Sequence, residues 1–137
     1  MNADSKLIMI FTHQILMPTT PRDSSAEWSV WMVRNHEKVR QMLGRYPNVR
    51  LVVSGHHHAS SVVTAGNITY VSDPAIVTFP CSFRFFTVTK EGIHLKNIGI
   101  EDKNSVNRTV GVASRFLTYS NFHTVILTFH FFEICLV

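Results

Sequence analysis

The sequence predicts an α/β protein that opens strand–helix–strand and continues as an antiparallel meander. Three stretches carry this prediction. Leu7-Ile8-Met9-Ile10-Phe11 is a continuous apolar run, residues 49–54 form a second run rich in valine, and the segment between them repeats its apolar residues at helical spacing. A strand apolar at every position belongs inside a sheet covered on both faces, and two such strands joined through a helix form a right-handed parallel crossover.

The first strand ends in Thr12-His13, and the carboxyl end of a buried strand is where α/β folds place their chemistry. Residues 17–25 contain Pro18, Pro21, two threonines and two serines, and read as a loop. Ser24-Ser25-Ala26-Glu27 has the spacing of a capping box, so the helix is expected to begin there. Trp28, Trp31, Met32, Val39, Met42, Leu43 and Tyr46 then make an apolar face, with Arg34, Glu37, Lys38 and Arg40 mainly between them. Gly44 and Pro47 close the helix near Tyr46. After Ser60 the pattern changes to short strands. Val62-Val63 and Ile68-Thr69-Tyr70-Val71 flank Gly66-Asn67, a hairpin pair tolerant of positive φ. Further strands are expected over residues 75–79, 83–89 and 93–98, with Lys90-Glu91-Gly92 as a turn.

A length of 137 residues allows one domain or part of a larger one. With 45% hydrophobic and 16% charged residues, the bulk of the chain is not disordered. The formal charge is +4 without a basic run, so nucleic-acid binding is not expected. Cys81 and Cys135 make no disulfide framework, which suits a reducing, cytoplasmic setting. The polar start and short first apolar run do not read as a signal peptide, and no run of about 20 apolar residues reads as a membrane span.

From about Asp102 the character shifts, so residues 1–101 are read as the domain and 102–137 as a separate apolar segment. Residues 116–137 hold five of the ten phenylalanines and one charged residue, Glu133. Three readings stand: an element docked on the core, an interaction or membrane-contacting surface, or an unselected tail.

The informative stretch is Ser54-Gly55-His56-His57-His58-Ala59, directly after a buried strand. Imidazole is a common ligand for borderline transition metals. In extended backbone, His56 and His58 point the same way and His57 the other. If the two buried strands are parallel neighbours, His13 lies at the same edge as this pair and the three can share a metal ion. The competing reading is a solvated histidine loop. His36 reads as surface on the polar side of the helix, and His94, His123 and His130 as ordinary strand or tail residues. Cys81 reads as a buried thiol, Asp73-Pro74 as a turn, and Arg84 as a surface or structurally paired residue, the alternative being that it faces a phosphate. No nucleophile elbow and no G-x-x-x-x-G-K loop occurs.

Phe11-Thr12-His13-Gln14-Ile15-Leu16 after a strand resembles the THxPL-type segment of the calcineurin-like metallophosphoesterases. Val52-Val53-Ser54-Gly55-His56-His57-His58 resembles that family's GHxH signature. The similarity spans roughly residues 5–100. It implies the C-terminal half of a four-layer α/β/β/α sandwich that hydrolyses phosphate mono- or diesters with metal-activated water. By resemblance, His13 and His56 hold one divalent ion and His58 a second, the metals being Mn, Fe or Zn. The family's D-x-H, G-D-x-x-D and G-N-H-D/E patterns, which supply the bridging carboxylate, are absent. The chain is therefore expected to be a fragment, inactive alone, needing a missing N-terminal half or prone to self-association. The alternative is a non-catalytic metal-binding or protein-interaction remnant.

Overall fold

A computed structural model describes residues 6–79, 81–101, 124–128 and 133–136, the last two segments as strand backbone. Strand β1 (Lys6–Thr12) and strand β2 (Val49–Ser54) pair in parallel, with Met9 opposite Leu51 and Thr12 opposite Ser54. Helix α1 (His36–Leu43) lies in the crossover between them. The expected strand–helix–strand unit is therefore present.

The remaining strands depart from a simple meander. Strand β3 (Ser61–Ala65) and strand β4 (Ile68–Ser72) form the expected hairpin, with Gly66 at φ 60 in its turn. Strand β4 then lies parallel to β2. Strand β5 (Ser82–Val88) and strand β6 (Gly92–Gly99) pair antiparallel in a second sheet. Strand β7 (Thr124–Thr128) borders β6, and strand β8 (Glu133–Leu136) borders β1. The sheets have the orders β3-β4-β2-β1-β8 and β5-β6-β7. The expected meander is thus split, because the apolar residues of β4 are buried along its whole length and need an interior position.

Two clusters of buried side chains explain the layering. Leu7, Met9, Leu51, Val53 and Val71 face Ile93 and Leu95 between the sheets. Val49, Val52, Ile68 and Tyr70 pack with Leu16 and Leu43 under the helix. Successive residues over 7–10 of β1 and 51–53 of β2 therefore serve opposite cores, as these apolar runs require. Helix, five-stranded sheet and three-stranded sheet are stacked in that order among the described residues. On β5 the alternation is strict: Phe86 and Val88 support the inner core, while Phe83 and Phe85 remain 44% and 55% exposed.

Two predicted elements differ. The helix is shorter than the apolar spacing suggests. Residues 21–24 and 29–31 are single 3-10 turns, and Met32 pairs with Ile15 in an isolated parallel bridge. Val33 N–H donates to the Ile15 carbonyl, so this stretch is drawn out along the segment after β1 and cannot coil. The expected strand over residues 75–79 is a turn, with Ile76 and Val77 exposed. No described strand pairs with it, and β-branched composition alone makes no ladder.

An ion pair ties the two sheets together. Arg84 of β5, 3% exposed in its side chain, lies 3.0 Å from Asp73. Its guanidinium also donates to Asn97 Oδ1 (3.0 Å), Ser60 Oγ (2.8 Å) and the Ser72 carbonyl (3.4 Å). Burial outweighs the Arg84 attraction and pushes the Asp73 carboxyl up to about 6. The folded chain therefore binds this proton more tightly than the unfolded chain does. That contribution to stability is full below the ordinary carboxylate range and is lost as pH rises through about 6. Urea titrations should show stability falling from pH 4 to pH 6.5 in the parent chain and a flatter profile in Asp73→Asn. Leu95→Ala, at a position 1% exposed, should cost about 2–5 kcal/mol in the same assay at either pH.

Candidate metal centre

Parallel pairing of β1 with β2 sets both strand ends at one edge of the sheet. The chain after β1 and the turn after β2 meet there directly. Gly55 N–H and His56 N–H both donate to the His13 carbonyl, at 3.3 and 3.0 Å. His58 N–H donates to the Gly55 carbonyl at 3.1 Å, closing a tight turn over residues 55–58. His58 sits at φ 53, a left-handed conformation that costs a residue with a Cβ about 1–2 kcal/mol.

The turn sends its three imidazoles in different directions. His56 Nδ1 and His13 Nε2 are 2.7 Å apart, with ring centroids at 4.5 Å. Trp31, 45% exposed, lies against the His56 ring with centroids at 5.0 Å. His57 points inward, as the alternation predicts, and its Nδ1 lies 2.7 Å from Asp23 Oδ1. His58 is exposed at the end of the turn. Burial lowers the His56 pKa, helped by His13, His57 and His58; burial also lowers that of His58, helped by His13 and His57. Lowered values leave these rings neutral at pH 7, with a lone pair available.

The three sequence-predicted ligands are therefore not equivalent. His13 and His56 are in contact. His58 lies within electrostatic reach of His13, but no three His, Cys, Asp or Glu side chains among the described residues form a group able to hold a metal ion. At 2.7 Å the two nitrogens share a hydrogen bond, one ring donating to the other. Two imidazoles on one ion, each at ~2.0–2.1 Å, need their nitrogens roughly 3.3 Å apart, a small separation of the rings. The donor pair thus fits one borderline divalent ion. It does not fit a bridged pair of ions, for which a carboxylate between them is needed.

Asp23 and the inward His57 were not among the predicted site residues. Their side chains are 2% and 3% exposed, and Trp28 stands edge-on to the His57 ring at 5.3 Å. The second carboxylate oxygen of Asp23 accepts the Thr19 and Thr20 amides at 2.8 and 2.9 Å. Burial alone pushes this carboxyl up, but the His57 hydrogen bond and the two amides together bring it down to about 2. A signal for Asp23 was present in Thr20-Pro21-Arg22-Asp23, where an acid follows Thr20 by three positions with proline at the first turn. This box, and not Ser24 with Glu27, caps the turn at Pro21–Ser24.

Of the other histidines, His36 is half-buried with its Nδ1 inaccessible and unpartnered, contrary to a plain surface reading, and His94 is half-buried on β6. His123 and His130, with Phe116, Phe122, Phe129, Phe131 and Phe132, lie outside the described residues. Cys81 is buried and makes no disulfide among the described residues, whose helices include none long and apolar enough to cross a membrane.

Comparison with solved structures places the fold. The chain is similar to the crystal structure of a dimetal phosphatase from Danio rerio, with a TM-score of 0.56 and 20% identity over 69% of this chain. The match spans 29% of that protein's length. No protein-family model matches the chain. No curated protein matches it either. The likeness supports a mixed α/β fold of phosphatase type, as the two strand-end histidine motifs led one to expect.

Because the Asp23 carboxyl is depressed, its contribution to stability is present above the ordinary carboxylate range and is lost as pH falls toward 2. Asp23→Asn should lower stability at pH 7 by about 2 kcal/mol, and the gap to the parent should shrink as pH falls below 4 in chemical denaturation.

Proposed function

We propose that this chain carries the histidine-bearing part of a dimetal phosphoesterase site, built on the C-terminal half of a four-layer α/β/β/α sandwich. The observation that carries the reading is the meeting of His13 and His56 at one sheet edge, from two strand ends, on a fold similar to a dimetal phosphatase. His13 and His56 would hold a single divalent ion of the Mn, Fe or Zn class, with His58 two residues further along the turn. Such an ion, when bound, polarises a phosphoryl oxygen and lowers the pKa of bound water.

The chain's own residues prepare this edge in other ways. The His13 carbonyl fixes the turn by accepting two of its amides. The neutral ring of His56 presents a lone pair in place of a positive charge, so a cation is not repelled. Trp31 beside it reduces the access of water on one side. What is missing among the described residues is a carboxylate at the imidazole pair, the group that would bridge two ions. The chain alone is therefore inactive, and turnover of a phosphate ester requires complementation by carboxylate-bearing structure.

The test is direct. The purified chain with Mn²⁺ should give no hydrolysis of an aryl phosphate monoester or diester above the metal-free rate. Robust turnover, abolished by His56→Ala, would overturn the claim of an incomplete site. Elemental analysis after equilibration with Mn²⁺ or Zn²⁺ should return at most one ion per chain, and none in His13→Ala. Two tightly held ions would overturn the claim of an incomplete site, and binding indifferent to both histidines would favour a remnant whose metal affinity lies elsewhere.

A further inference from the structure

We propose that Asp23 is a positioning residue: through His57 it sets the direction of the turn over residues 55–58 and so delivers His56 to His13. The proposal rests on the reading of His13 and His56 as the cation grip. Four observations carry it. The His57 side chain is 3% exposed and that of Asp23 2%, with 2.7 Å between Nδ1 and Oδ1. Asp23 is itself immobilised, because its other oxygen is held by the amides of Thr19 and Thr20. Trp28 closes the His57 ring from the side, and the Arg22 guanidinium lies 4.6 Å from the centre of Trp28. Finally, His57 Nε2 is buried and has no hydrogen-bond partner among the described residues.

The last point separates positioning from packing. A buried ring nitrogen without a partner is a cost that an apolar ring in the same place would not carry. What the imidazole has and a phenyl lacks is an N–H aimed at a carboxylate. That single bond chooses one orientation of the ring. In a turn this tight, consecutive side chains cannot both enter the interior. With His57 held inward, His56 is left outside, where His13 Nε2 meets it. The left-handed backbone at His58 is sustained at the same time, because the turn cannot relax without pulling His57 off Asp23.

The experiment uses ring ¹⁵N NMR of histidine-labelled full-length chain at pH 8, with Co²⁺ titration as a second readout. The parent should show His13 and His56 each in one fixed tautomer, as a shared N–H requires. Asp23→Asn and His57→Ala should shift both rings toward the averaged pattern of free imidazole and weaken Co²⁺ binding by about tenfold, the lower end for loss of a group that orients a ligand. His57→Gln, which keeps a donor for Asp23, should restore most of the parent pattern. Val62→Ala, a mild loss from the inner core, should alter stability and leave both readouts unchanged. Parent-like tautomers and Co²⁺ affinity in a folded His57→Ala chain would overturn the proposal. Should the parent bind no Co²⁺, the cation-grip reading fails, while the ring tautomers still decide whether Asp23 positions His56.

Discussion

The parallel pairing of β1 with β2 is the constraint from which the rest follows. Residues 7–11 of β1 and 51–53 of β2 are apolar without a break, so these stretches need cover on both faces. The helix satisfies one face and the β5-β6 sheet the other. Parallel strands also end at the same edge, and their following loops share it. The contact between His13 and His56 is thus a result of two-sided burial more than of any attraction between the rings. A one-residue slip in register would exchange the two cores and turn every side chain of β1 to the wrong layer.

Two acids show how surroundings decide between burial and hydrogen bonding. Asp23 and Asp73 both lose water on folding. Asp23 receives the Thr19 and Thr20 amides, the Thr19 hydroxyl and the His57 ring on its two oxygens, and the charge is retained down to about pH 2. Asp73 lies close to a guanidinium, but that cation is divided among Asn97, Ser60 and the Ser72 carbonyl, and Asp73 Oδ1 makes no aligned hydrogen bond. Proximity to a cation is a weaker stabiliser here than directed N–H groups.

Much of the strand framework was legible. The apolar runs of β1 and β2, the Gly-Asn hairpin and the two strands on either side of Lys90-Glu91-Gly92 are local patterns, and local patterns survive into the structure. The relation of His13 to the GHHH turn was also readable, because it needs only two parallel neighbours. What failed to show in the sequence was set by partners distant along the chain. Trp28 and Trp31 repeat at helical spacing, yet Met32 is drawn into a bridge with Ile15 and the helix waits until His36. Residues 75–79 have strand composition but no neighbour to pair with among the described residues. Asp23 looked like an ordinary loop acid until the fold brought it under His57, a contact across 34 positions that no periodicity announces.

The placement of β8 has a consequence for how the sheet is completed. Lys6 pairs with Glu133 and Met9 with Leu136, so the first strand waits for the far end of the chain before its outer row of amides and carbonyls is occupied. During synthesis β1 leaves the ribosome long before its eventual neighbour exists. The helix, the β3-β4 hairpin and the β5-β6 pair can assemble in that interval, since their contacts are nearer in sequence. The nascent chain therefore passes through a period in which a largely apolar strand displays a hydrogen-bonding edge not yet covered by β8.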